Sequence, residues 1–272
     1  MKSKNHKIPP AAFIILLLVS TLQLSAQQRL VAVGGGKRPP EVMKRFVEWG
    51  GGTKANILVI TWATSEPEAS FAGLKDDFAK YGPAAIIHAP DGPLDSAKRS
   101  QFIEQLKVAT GVFFSGGDQN RIMDILADDG LLQMLREKYN SGTPFGGTSA
   151  GSAALSDPMM TGDADLKTLD GKKVGVRKGL GLIPGVILDQ HFLVRQRHNR
   201  LFGLMMANPS MLGIGINEDM ALAVVDNRDA EIVGPTQVMF IDPHGRNNAF
   251  LVYILSAGQH FDLKKRRPRK GK

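Results

Sequence analysis

The chain has 272 residues, enough for one large domain or two small ones, and 43% of them are hydrophobic, enough for a substantial core. It has no cysteine, which excludes disulfides, a thiolate nucleophile, thiolate metal sites and a cysteine-linked lipid anchor. The formal charge of +8 sits at the two ends. Three lysines among the first seven residues and seven basic residues from Lys264 onward stand without an acid, and the body holds 24 basic against 26 acidic residues, so nothing marks it as a nucleic-acid-binding fold.

In chain order, Lys2, Lys4 and Lys7 precede an apolar run over 11–19, and Leu24-Ser25-Ala26 offers a small residue for cleavage. These are the regions of a secretory signal peptide over 1–26, which predicts a secreted or periplasmic protein beginning near Gln27. The run is too short to span a bilayer comfortably, so no stable membrane insertion is expected. An uncleaved anchor is the alternative, because Leu24 is a mediocre residue three before the cut. Buried strands are predicted over 29–33, 55–61, 84–88 and 111–115, and helices over 40–49, 95–109 and 120–139. Ser65 and Glu68 read as a capping box that opens a further helix to about Tyr81. Such alternation argues for a parallel sheet covered on both faces, with sites at the carboxyl ends of its strands. Glycine turns after Val33 and Ser115 fall at such ends. After His191 a helix over 192–207 and strands over 212–216, 221–225, 238–241 and 250–255 suggest an antiparallel extension of the same sheet. One α/β domain over 27–262 is expected, followed by a basic, solvated tail over 263–272 that could also attract an anionic surface.

The stretch 147–151, Gly-Thr-Ser-Ala-Gly, is a G-x-S-x-G between an apolar segment and a run of small residues. That context suits a strand–turn–helix that projects the Ser149 hydroxyl toward backbone N–H groups at a helix start. A serine nucleophile needs a base. His191, at the end of the apolar segment 185–191, is favoured modestly over His88. His198 lies in a helical stretch, His244 in a turn and His260 near the end of the chain. Glu218, Asp219 and Asp189 all stand at strand ends as acids that could orient the base. Ala150, after the nucleophile, would supply one oxyanion N–H, and Gly117 could supply the other.

The chain resembles the cyanophycinase branch of the serine peptidases related to aspartyl dipeptidases. The resemblance is carried by Phe114-Ser115-Gly116-Gly117-Asp118-Gln119, by 147–153, by 179–185, by Asp189-Gln190-His191-Phe192 with Arg195, Arg197 and Arg200, and by 213–218. It implies a fold similar to class I glutamine amidotransferase domains, with Ser149 as nucleophile, His191 as base and Glu218 as orienting acid. It assigns Gly117 and Ala150 to the oxyanion hole, and Gln119, Asp189, Gln190, Arg195 and Arg200 to substrate contacts. Cyanophycin is a poly-aspartate backbone with arginine joined to each β-carboxyl group, and enzymes of this branch release β-aspartyl-arginine dipeptides from it. Members more often carry alanine where this chain has Ser152.

A substrate rich in carboxylates and guanidiniums calls for arginines and acids in one cleft. Arg200 lies too far around an unbroken helix from His191 to share its face with Arg195, so either the helix starts later or one arginine is structural. Arg197 reads as a solvated surface charge. The polar segment 161–178 is either a flap over the cleft or an ordinary loop. The chain is therefore expected to be a secreted serine exopeptidase that uses no metal or cofactor. Its partner is a polypeptide, cyanophycin or small aspartyl and isoaspartyl peptides, with a homodimer left open. A non-catalytic binder of acidic polymers is the rival from another class.

Overall fold

The computed structural model describes residues 26–127, 129–165, 167–244 and 249–269. The signal peptide expected over 1–26 lies, but for Ala26, outside the described residues. The parallel core is built from β1 (Arg29–Val33), α1 (Pro40–Trp49), β2 (Asn56–Ile60), α2 (Pro67–Ala79), β3 (Ala85–His88), α3 (Ser96–Val108), β4 (Gly111–Phe114), α4 (Gln119–Ile125), α5 (Asp129–Asn140), β5 (Phe145–Thr148) and α6 (Ala150–Ala154). A hairpin of β6 (Met159–Ala164) and β7 (Val174–Arg177) follows. Then come β8 (Val186–Asp189), α7 (His198–Ala207), β9 (Leu212–Ile216), β10 (Ala221–Val225), β11 (Asp229–Val233), β12 (Gln237–Asp242), β13 (Leu251–Ser256), β14 (His260–Asp262) and β15 (Arg267–Pro268).

The large sheet has the order β15-β14-β11-β10-β1-β5-β4-β2-β3. The five strands from β1 to β3 run parallel, so their carboxyl ends share one edge of the sheet. Their side chains alternate between two buried faces. Leu30, Ala32, Leu58, Ile60, Val112 and Phe114 meet α3 and α5, while Val31, Val33, Ile57, Val59 and Phe113 meet α1 and α2. Among the described residues no helix is long and apolar enough to cross a membrane.

Four sequence expectations change. The C-terminal strands do not all extend one sheet: β10, β11, β14 and β15 do, antiparallel to β1, but β13-β12-β9-β8 form a second sheet. The segment Leu212-Gly213-Ile214-Gly215-Ile216 explains this placement. Its large side chains join the main core, and its glycine face receives Met205, Leu201 and the Phe192 ring. The helix expected over 192–207 begins only at His198, because His191 and Gln196 take positive φ values of 49° and 51°, which no helix continues through. Ser65 does not cap α2; the helix opens on Glu66 and Pro67 with no side-chain cap. The basic tail is not a loose end as far as Arg269. Leu263 is buried, β15 pairs with β14, and Arg269 reaches Asp229 at 2.8 Å.

Candidate active site

Ser149 stands between β5 and α6 at φ 53° and ψ −115°, a sharp elbow. The flanking glycines are required by contact. A Cβ on Gly147 would enter the Gly151 backbone, and one on Gly151 would enter the carbonyl of Phe114. The elbow is pinned to β1: Ser149 N donates to Val33 O at 2.9 Å, and the buried Ser152 hydroxyl lies 2.6 Å from Val33 O and 2.7 Å from Gly147 O. An alanine at 152 would leave those carbonyls without this donor.

His191 arrives from the second sheet, two residues past Asp189 at the end of β8. Its N–H donates to Gly34 O at 2.8 Å. Its ring lies against Gly35, whose φ is 111° and where any Cβ would collide with the imidazole. The ring is hydrogen-bonded on both sides, Nε2 to Ser149 Oγ at 2.7 Å and Nδ1 to Glu218 Oε1 at 2.5 Å. Glu218 stands beyond β9 on a turn whose Asn217 accepts from Leu193 N at 2.8 Å, joining that turn to the one after His191. Burial holds the His191 pKa below its ordinary 6.5. The Glu218 hydrogen bond pulls it back up, and the nearby Arg195 charge pushes it down again. The ring is therefore neutral at pH 7 and able to accept a proton.

The geometry separates candidates that sequence left open. His88 sits on the edge strand β3, bonded to Thr61 Oγ1 at 2.8 Å and stacked on Phe71 at 4.3 Å, three strands away from β5. Asp219 accepts from Lys37 N at 2.6 Å and so clamps the glycine loop. Asp189 is buried and takes Arg200 on both carboxylate oxygens, the Nε contact at 2.9 Å. Arg200 also donates to Gly162 O in the hairpin at 3.2 Å. Asp189 and Arg200, expected to touch substrate, are thus turned onto each other. Arg197 is not a solvated charge: its side chain is 11% exposed and Nη1 donates to Gln190 O at 2.8 Å. Burial, with Arg200 beside it, draws its pKa to about 10, which leaves it charged at neutral pH.

Arg195 is exposed, and its backbone N–H bonds to His191 O at 3.0 Å. Gln119 is buried and donates to Met160 O at 2.7 Å. The buried Gln190 Oε1 has no partner among the described residues, so it is an acceptor awaiting a donor. Among the described residues, neither Gly117 N–H nor Ala150 N–H is taken by a protein acceptor. Gly116 lies so close that a Cβ there would stand 3.2 Å from Ser149 Cβ. Among the described residues no three His, Asp or Glu side chains gather as a metal site would need. The seat that the 34–36 loop makes for the imidazole went unread in the sequence. Three consecutive glycines at a strand's carboxyl end were the available signal.

Residues 30–232 match the sequence family described as peptidase family S51. A cyanophycinase from Trichormus variabilis is 33% identical over 242 residues, covering 83% of this chain and 81% of that protein. A cyanophycinase from Geminocystis herdmanii is 29% identical over 261 residues, covering 89% and 96%. The crystal structure of a peptidase from an acI-B1 Actinobacterium superposes with a TM-score of 0.67 at 23% identity, covering 86% of this chain and 96% of that one.

Proposed function

The chain belongs to peptidase family S51, a serine-type peptidase family, and from that premise we propose that it hydrolyses cyanophycin to β-aspartyl-arginine dipeptides outside the cytoplasm. The observation that carries the chemistry is the unbroken hydrogen-bonded line Ser149 Oγ–His191–Glu218. Ser149 Oγ attacks the aspartyl carbonyl as His191 Nε2 takes its proton, and Glu218 holds the tautomer that leaves Nε2 free to accept. The negative charge on the carbonyl oxygen falls to the Gly117 and Ala150 N–H groups. The C–N bond breaks as the imidazolium returns the proton to the leaving amine. Water, deprotonated by the same ring, then releases the acyl group and restores the serine.

The substrate reading is supported by the cyanophycinase relatives and by the exposed Arg195 beside the base, suited to a carboxylate. Digestion of purified cyanophycin with mass detection of β-Asp-Arg tests it. Release of the dipeptide by the wild type but not by Ser149→Ala supports it. Cleavage confined to small aspartyl or isoaspartyl dipeptides would replace it. The extracytoplasmic placement rests on the pattern of the first 26 residues, and fractionation of expressing cells with N-terminal sequencing tests that separately.

A further inference from the structure

An opening of about 550 Å³ lies beyond the Gly116–Gly117–Asp118 turn, walled by the loops after β2 and β3 and by α4. It adjoins the active site through that turn. Asp118 N donates to Ala63 O at 2.8 Å, and a Cβ on Gly117 would fall on the Ala63 carbonyl and within 2.9 Å of Thr64 N. The same 61–65 segment gives Thr61, Trp62 and Thr64 to the groove wall. In the sheet β2 is two strands from β5. At about 4.8 Å per strand the groove opens roughly 10 Å from Ser149, about three residues of extended chain.

The lining carries both signs of charge on an apolar base. Arg121 is exposed on α4. The Asp91 side chain in the loop after β3 is 40% exposed, while its Oδ1 accepts from Thr61 Oγ1 at 3.4 Å and lies 3.7 Å from His88 Nε2. Arg99 and Asp124 also line the groove, Asp124 bonded to Arg177 at 2.9 Å, with Trp62 and Leu94 as its apolar part. The Trp62 ring is fixed by its Nε1–H bond to Pro90 O at 2.8 Å. The Ser149–His191–Glu218 line leaves all of these residues unused.

We infer that this groove is an extended subsite that holds the fourth and further dipeptide units of the polymer while Ser149 acts on the terminal bond. The inference rests on the cyanophycin reading. Each unit carries one carboxylate and one guanidinium on its arginine branch, so Arg121 and Asp91 match the two charges of a single unit. A substrate of two units fills only the two sides of the scissile bond and does not reach the groove.

Steady-state kinetics on (β-Asp-Arg) oligomers of two and of six units test this in the full enzyme. The wild type is expected to show a KM about fivefold lower for six units than for two, the weight of one well-placed exposed charge pair. Arg121→Glu is expected to lose that gain and to keep kcat, and KM for two units, unchanged. Arg121→Lys is expected to restore part of the gain. A wild-type KM independent of length, or an Arg121→Glu enzyme that keeps the full length dependence, overturns the subsite and leaves the cyanophycin reading intact. Release of no dipeptide from either oligomer by the wild type overturns the reading, and the subsite with it.

Discussion

Ser149 holds a backbone conformation that only its surroundings enforce. The elbow at φ 53° is paid for by the bonds of Ser149 N and Ser152 Oγ to β1. Ser149→Ala removes the nucleophile but none of these bonds. We expect kcat to fall by about 10⁴-fold or more with the melting temperature unchanged, read by kinetics and circular dichroism. The base sets the pH profile. A buried His191 must lose its proton to act, so kcat/KM is expected to fall as pH drops through an apparent pKa below 6.5. Arg195→Ala removes a positive charge and should move that limb up, whereas Glu218→Gln removes the raising partner and should move it down while cutting kcat. A limb that stays put in Arg195→Ala would remove Arg195 from the electrostatics of the base. Gly35→Ala places a methyl group in the imidazole's seat, and activity is expected to fall by more than 10²-fold through displacement of the ring.

At the scale of elements, the path from β8 to α7 decides the site. The positive-φ residues His191 and Gln196 keep α7 from starting before His198, and the bond of His191 N to Gly34 O holds the ring against Gly35. The Asp189–Arg200 pair then ties the end of β8 to the first turn of α7, and the bond from Arg200 to Gly162 ties both to the hairpin. The hairpin is therefore bolted to the catalytic frame by a buried charge. Arg200→Met leaves the buried Asp189 with the Gln190 N–H at 2.8 Å and Arg197 Nη1 at 3.7 Å, and we expect a loss of about 3–5 kcal/mol in urea unfolding. A change under about 1 kcal/mol would show that the pair is dispensable to the frame.

At the scale of the molecule, two separate sheets bring their strand ends together: Ser149 follows β5, and His191 and Glu218 follow β8 and β9. The basic tail helps hold that arrangement. Arg266 bonds Asp242 at the end of β12 at 3.0 Å and also the Ser210 carbonyl before β9, while β15 stays paired to β14 on the large sheet. The tail thus spans both sheets. Arg266→Met strips a partner from the buried Asp242, and a loss of about 3 kcal/mol is expected by chemical unfolding. Truncation after Leu263 should cost at least as much. An unchanged unfolding midpoint in the truncated chain would reduce the tail to a surface appendage.

Sequence by itself determined what local rules encode. Apolar runs of strand length alternating with helical segments specified the parallel core, and α1 and β1 fall on the predicted residues because period and end signals agree there. The elbow was legible because its glycines and serine, Gly147, Ser149 and Gly151, all fall within one short stretch of chain. Residue patterns alone favoured His191 only modestly over His88 and left Glu218, Asp219 and Asp189 open. The family resemblance named His191 and Glu218, and the tertiary structure brings them to Ser149, because those groups lie 27 or more residues from their partners and strand order sets which ends meet. The same holds for the arginines. A charged residue in a polar stretch looks solvated until a carboxylate from another strand buries it, and only the packed fold brings Asp189 to Arg200 or Asp242 to Arg266.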